Sequence, residues 1–183
     1  MPQRRVRSRD EQRLLDKAKR YLPGGTLGNT RFADDVAFVV KAGQGSKVFD
    51  MSGNAYIDYL LGSGPMILGH AHPAVVTAVR DYLERGSTYF TLNEPVIRLA
   101  EVICQAVPCA EKIRFCSTGS EATFFALRVA RTFTKKDKIL KFEGGFHGSH
   151  DYALMSSSPS VPKDFPQAVP DSAGIPRVLE DQV

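Results

Sequence analysis

Apolar residues recur at helical spacing through Leu14, Leu15, Ala18 and Leu22 behind the capping-box pattern Ser8-Arg9-Asp10-Glu11. An amphipathic helix is therefore predicted near the start, stopped by Pro23-Gly24-Gly25. Val36–Val40, Lys47–Phe49 and Ala55–Leu60, with a turn at Met51-Ser52-Gly53-Asn54, predict a small antiparallel unit of strands. Two helices follow. One starts at Pro73, carries Val75, Val76, Val79 and Leu83, and ends by Gly86. The other starts at Asn93-Glu94-Pro95, carries Val96, Leu99, Ala100, Ile103 and Val107, and closes at Pro108.

The period then changes. Ile113–Cys116, a helical run over about 119–133, and Lys138–Phe142 read as strand, helix, strand: a βαβ unit of an α/β fold. On that helix Ala122, Phe125, Ala126, Val129, Ala130 and Phe133 are expected to be buried, with Arg128, Arg131 and Lys135 facing outward. Five of the eleven prolines lie between 159 and 176, so the stretch from Ser156 to Pro176 reads as a functional lid or a linker. A two-strand parallel sheet cannot bury both faces, and the chain is expected to break off within a domain.

Charge narrows the function classes. Residues 1–20 hold eight Lys/Arg against three Asp/Glu, and the remainder holds 16 against 17, so the body is near neutral. A nucleic-acid-binding domain would carry its basic face in the fold itself, so no nucleic-acid partner is expected. Asp10, Glu11 and Asp16 argue against an acid-poor transit peptide, and no apolar segment follows the charged start as a secretion signal requires. No apolar run reaches the roughly 18 to 20 residues that span a bilayer, so no membrane partner is expected. The three cysteines, Cys104, Cys109 and Cys116, are odd in number and lack C-x-x-C spacing, which points to free thiols in a reducing cytoplasm.

The chemistry concentrates at Thr118-Gly119-Ser120-Glu121-Ala122 and at Glu143-Gly144-Gly145-Phe146-His147-Gly148. A small-residue turn between strand and helix can hold an anion on backbone N–H groups and the helix dipole. Thr118 and Ser120 add hydroxyls, and Phe146 supplies a flat face, which together suggest a planar, phosphate-bearing cofactor. The bland alternative is that Thr118-x-x-Glu121 merely ties off free N–H groups, and on local pattern alone that is the commoner meaning. A Walker-type phosphate loop and a G-x-S-x-G elbow are both missing. His70-Ala71-His72 and His147-Gly148-Ser149-His150 lack carboxylate or thiolate companions at ligand spacing, so no metal is expected, and a turn-stabilising role suits His70 and His72 better. Arg31, in a polar loop, has the form of a carboxylate clamp, although arginine in a loop is more often simply solvated.

Taken in order, these motifs resemble a family. Leu22-Pro23-Gly24-Gly25, the stretch from Gly43 to Asp50, Gly53-Asn54-Ala55-Tyr56-Ile57-Asp58, Gly69-His70-Ala71-His72-Pro73, Arg114-Phe115, Thr118 to Ala122, Ala126 to Arg131 and Lys141-Phe142-Glu143-Gly144 are similar to the class III pyridoxal-phosphate aminotransferases. The branch of the glutamate-1-semialdehyde aminomutases fits best, and the likeness runs from about residue 11 to about 155.

The resemblance implies an α/β enzyme of PLP-dependent fold type I, with residues 1–68 in the small domain and 69–183 in the first part of the large domain. It implies pyridoxal 5'-phosphate as cofactor, its phosphate on Gly119 and Ser120 with Thr118 adjacent, and Phe146 stacked on the ring with His147 beside it. Arg31 then receives the substrate carboxylate, and 156–176 becomes a mobile active-site loop. Small-molecule amino donors and acceptors and a homodimer follow from the same likeness, and the free thiols place the enzyme in the cytoplasm. No lysine here stands in the family's imine-forming motif. That residue is expected beyond Val183, and the chain alone is expected to be inactive.

Two positions depart from the aminomutase branch. Phe146 replaces its tyrosine, and Ser63 replaces its tryptophan. They turn the expectation toward a transaminase acting on an amino acid or a related carboxylate-bearing amine, with the aminomutase as the alternative and a truncated, catalytically inactive cofactor-binding fragment as a second.

Overall fold

The computed structural model describes residues 5–28, 30–159, 164 and 167–183, and the chain divides into two units, Met1–Thr91 and Leu92–Val183. In the first, Ser8 caps α1 (Arg9–Tyr21) by accepting the Glu11 N–H at 3.2 Å. The expected reciprocal half of the capping box does not form. Glu11 is fully buried instead, where its carboxylate takes the Arg5 guanidinium at 2.8 Å and the Val39 N–H at 2.9 Å, along with the Ser52 hydroxyl. Ser52 compensates by accepting the Ser8 N–H at 2.8 Å. A buried carboxylate needs such donors, and an arginine outcompetes one backbone N–H for it.

The antiparallel sheet is present, in the order β1 (Val40–Gln44), β2 (Lys47–Asp50), β3 (Ala55–Ile57). Gln44 pairs Lys47 across the first turn, and Lys47 pairs Ile57 in the next ladder. Two predicted boundaries shift. Val36 and Ala37 both donate to the Ala33 carbonyl, forming a turn, so β1 starts only at Val40. At the other end Asp58 Oδ1 accepts the N–H groups of Leu60 and Leu61 at 2.9 and 3.0 Å, and this side-chain turn ends β3 at Ile57.

Asp50 is the polar centre of this unit. Fully buried, it accepts the N–H groups of Ser52 and Asn54, the Asn54 amide and the Tyr56 hydroxyl, all within 2.9 Å. Burial pushes its pKa upward, but the donors from Asn54, Tyr56 and Ser52 outweigh it and hold the carboxyl below the usual range. His70 Nε2 meets Asp58 Oδ2 at 2.7 Å, while its backbone exchanges two hydrogen bonds with Gly45. His70 thus braces a turn, as the sequence suggested. The α2 helix (Pro73–Leu83) follows.

In the second unit, Asn93 caps α3 (Glu94–Ala106) through the Val96 N–H at 3.2 Å. The α4 helix (Gly119–Thr134) ends on Lys135 in a left-handed conformation, φ 58°. The predicted strands at Ile113–Cys116 and Lys138–Phe142 are not formed as ladders among the described residues. A strand requires a neighbour for its N–H and C=O groups, and these two segments do not pair with each other. Ile139 N–H does reach the Gln182 carbonyl, at 2.9 Å.

The predicted burial of α4 is likewise not observed. Val129 is 68% and Phe133 88% exposed, and Ala122, Ala126 and Ala130 are exposed as well, with Phe125 half-buried. These side chains line an open groove of about 550 Å³ with Arg114 and Cys116. The 3.6-residue apolar stripe marks a face that packs, but no described segment covers it.

The core of this unit lies elsewhere, at Ala153, Met155 and Ala168. Here Ser156 N–H donates to the Val169 carbonyl at 2.7 Å and Asp171 N–H to the Leu154 carbonyl at 3.0 Å, stitching together the two sides of the Ser/Pro-rich stretch. Lys141 Nζ adds donations to the Met155 carbonyl and, at 3.0 Å, to Ser157 Oγ. Residues 160–163, 165 and 166 of the expected 156–176 loop lie outside the described residues.

Candidate functional site

The first turn of α4 is built as a reciprocal cap. Thr118 Oγ1 accepts the Glu121 N–H at 3.1 Å, and Glu121 Oε2 accepts the N–H groups of Ser117 at 2.8 Å and Thr118 at 3.2 Å. The plain capping reading is therefore correct as far as it goes. It leaves other donors over. The N–H groups of Gly119 and Ser120 take no acceptor among the described residues, as the first positions of a helix dictate. The Thr118 and Ser120 hydroxyls each accept a backbone N–H, which leaves their own protons to donate. A Cβ added to Gly119 would meet only open space. Two N–H and two O–H donors at the positive end of a 16-residue helix suit a phosphate group.

The loop bearing Phe146 and His147 is held directly on this turn. Ser149 N–H donates to Ser120 Oγ at 2.8 Å, and Thr123 Oγ1 lies 2.7 Å from the His147 carbonyl and 3.1 Å from His150 Nε2. A hydroxyl has one proton. The Gly119 and Ser120 carbonyls also lie within its reach, at 3.0 and 3.1 Å, but the His147 carbonyl is nearest, and donation there leaves the Thr123 oxygen to accept from His150 Nε2–H. His150 packs against Phe124, ring centroids 5.3 Å apart, and Arg131 lies over Tyr152 at 4.1 Å. Burial lowers the His150 pKa, against a smaller opposing pull from Asp151, so the ring is neutral at neutral pH. Gly148, at φ +111°, makes the close approach possible.

Phe146 is 67% exposed, so its face is open to a planar ring, and His147 beside it is exposed too. Arg31 belongs to the first unit, is exposed, and contributes a small Coulombic lowering to the Asp34 carboxyl, which Lys19 dominates through its hydrogen bond. A cavity of about 730 Å³ in the second unit runs instead along Leu140, Lys141, Phe142, Met155 and Val183. It is the unladdered flank of the expected 138–142 strand, whereas the converging donors are at α4. Among the described residues no group of three His, Cys, Asp or Glu gathers to hold a metal ion.

The sequence motifs point to Thr118, Gly119, Ser120, Phe146 and His147, contain Gly148, Ser149 and His150 without indicating their contacts with α4, and leave out Thr123. A signal existed for two of them. Thr123 lies one helical turn after Gly119, on the same face, and His150 had been weighed only as a metal ligand.

Residues 30–182 match the family described as aminotransferase class-III. Glutamate-1-semialdehyde 2,1-aminomutase of Methanothermobacter thermautotrophicus is 46% identical over 165 residues, covering 90% of this chain and 38% of that protein. The enzyme of the same name from Methanobrevibacter smithii is 45% identical over 163 residues, covering 89% and 37%. Among solved structures, an omega-transaminase from Sphaerobacter thermophilus superposes with a TM-score of 0.87 at 32% identity, over 94% of this chain and 40% of that one. A transaminase with PLP bound also gives 0.87, at 26% identity, over 97% and 41%. The chain spans less than two fifths of the length of these two curated relatives. Its fold is that of part of a PLP-dependent transferase of fold type I.

Proposed function

Because the chain belongs to the class III aminotransferase family, we propose that it is the cofactor-phosphate end of an enzyme that moves an amino group on a carboxylate-bearing substrate with pyridoxal 5'-phosphate. The carrying observation is the set of four outward donors at Gly119, Ser120 and Thr118, with the Phe146 loop fastened to the same turn. When bound, the cofactor supplies a pyridinium ring that takes up the electron pair left as a proton departs from the amine-bearing carbon. The residues of this chain bind and orient. Gly119, Ser120 and Thr118 hold the phosphate, Phe146 lies against the ring, and His147 stands beside it. Arg31 receives the substrate carboxylate as a bidentate clamp. In this reading residues 1–68 belong to the small domain and 69–183 to the large one, and the enzyme is a cytoplasmic homodimer.

The transaminase is the first reading, since Phe146 and Ser63 replace the aminomutase branch's tyrosine and tryptophan. A second is the aminomutase, favoured by 46% identity to an enzyme of that name. The test is the full-length gene product reconstituted with pyridoxal 5'-phosphate and offered glutamate-1-semialdehyde, β-amino acids and simple amines. Amino transfer from the amino acids supports the first reading, and turnover of glutamate-1-semialdehyde alone supports the second. No uptake of cofactor removes both.

A further inference from the structure

We propose that Thr123 and His150 are positioning residues that fasten the Phe146–His147 loop to the anion-holding turn of α4, an inference that rests on the reading of that turn as the cofactor-phosphate site. The contacts converge from both sides. Thr123, on α4, reaches the His147 carbonyl at 2.7 Å and His150 Nε2 at 3.1 Å, and Ser120 Oγ takes the Ser149 N–H at 2.8 Å. Three links, at 147, 149 and 150, thus fix the chain just after Phe146.

The bond order follows from distance: of the three carbonyls near Thr123 Oγ1, that of His147 at 2.7 Å is closer than those of Gly119 at 3.0 Å and Ser120 at 3.1 Å. With the Thr123 proton on the His147 carbonyl, His150 must carry its proton on Nε2, which leaves Nδ1 unprotonated. Nδ1 is buried and has no hydrogen-bond partner, so a second proton there would be an unsatisfied buried donor. Phe124 and Tyr152 enclose the ring, and Asp151 is the charged group acting on it. The latch therefore exists in one protonation state. It also explains how an exposed aromatic ring can be placed without being buried. Phe146 itself packs little, and its position comes from the backbone bonds that follow it.

Thr123→Val keeps the shape and removes the hydroxyl, and Thr123→Ser restores the hydroxyl without the methyl. In the full-length protein, titration with pyridoxal 5'-phosphate should show Thr123→Val binding about tenfold more weakly, the scale of one lost hydrogen bond that strands a buried donor. Thr123→Ser should stay within about twofold of wild type on the same scale. The visible circular dichroism of the bound cofactor should change in Thr123→Val and not in Thr123→Ser, and ¹⁵N spectra of the cofactor-free protein should place the His150 proton on Nε2. Wild-type protein that takes up no cofactor overturns the functional reading and this inference with it. Wild type that binds while a folded Thr123→Val matches its affinity and dichroism overturns the latch alone. A proton on Nδ1 does the same.

Discussion

Gly148 lies so close to Ser120 that a Cβ built on it would stand 2.7 Å from the Ser120 Cα and 2.9 Å from its hydroxyl. Backbone cannot yield as a flexible side chain can, and φ +111° is itself unfavourable for any L side chain. Gly148→Ala is expected to cost about 2 kcal/mol or more of stability. Chemical denaturation of the purified variant measures it, and pyridoxal-phosphate affinity should fall in parallel as the loop lifts from α4. A variant as stable as wild type would mean that the loop packs differently.

His150 makes the same junction sensitive to acid. Its folded-state pKa is depressed, so the unfolded chain binds the proton more readily, and stability falls as pH falls. The contribution is complete above the ordinary histidine value, about 6.5, and is lost on moving down through the folded-state value. Stability measured between neutral and mildly acidic pH should decline in wild type and decline less in His150→Gln. Parallel profiles would remove His150 from the junction.

Asp50 should prove the most costly carboxylate to neutralise. Asp50→Asn puts an amide N–H₂ where donors already converge from Ser52, Asn54 and Tyr56. A loss of about 3 kcal/mol is expected in denaturant titration, because buried donors are left facing a donor. Its depressed pKa adds a sign. Stability from Asp50 is present above the ordinary aspartate pKa and is lost as pH falls through the lower folded-state value, so the variant should lack that acid limb.

Arg31 distinguishes the substrate reading from a solvated loop. Arg31→Ala in the full-length enzyme is expected to raise KM for carboxylate substrates by roughly tenfold or more and to leave simple amines unchanged. Equal effects on both would take Arg31 out of the substrate site. Steady-state kinetics on paired substrates decides it.

Local signals carried much of this structure. Asn93, Thr118 and Pro73 start helices where the cap and proline rules place them, and the turn signal at Gly53 corresponds to the turn between β2 and β3. What failed was what depends on a distant partner. Glu11 matches a capping box but is claimed by Arg5, Val39 and Ser52, none of which a four-residue pattern includes. Ile113–Cys116 and Lys138–Phe142 have strand composition without a ladder, because pairing is a property of two segments. The apolar stripe of α4 predicts a face for packing and says nothing of what packs there. At the candidate site, residue types pointed to Thr118, Gly119, Ser120 and Phe146, while the close approach of Gly148 to Ser120 and the bond from Thr123 to the His147 carbonyl depend on how loop and helix meet.

If the turn at Gly119 and Ser120 holds a cofactor by its phosphate, that phosphate must carry much of the affinity. Parallel titration of the full-length protein with pyridoxal 5'-phosphate and with pyridoxal, followed by borohydride reduction and mass measurement, tests it directly. The phosphorylated cofactor is expected to bind at least about a hundredfold more tightly, two charge-assisted hydrogen bonds' worth, and borohydride to fix it to the protein. Ser120→Ala is expected to narrow the gap between the two ligands. Equal affinity for pyridoxal and its phosphate, or no cofactor fixed by borohydride, would contradict it.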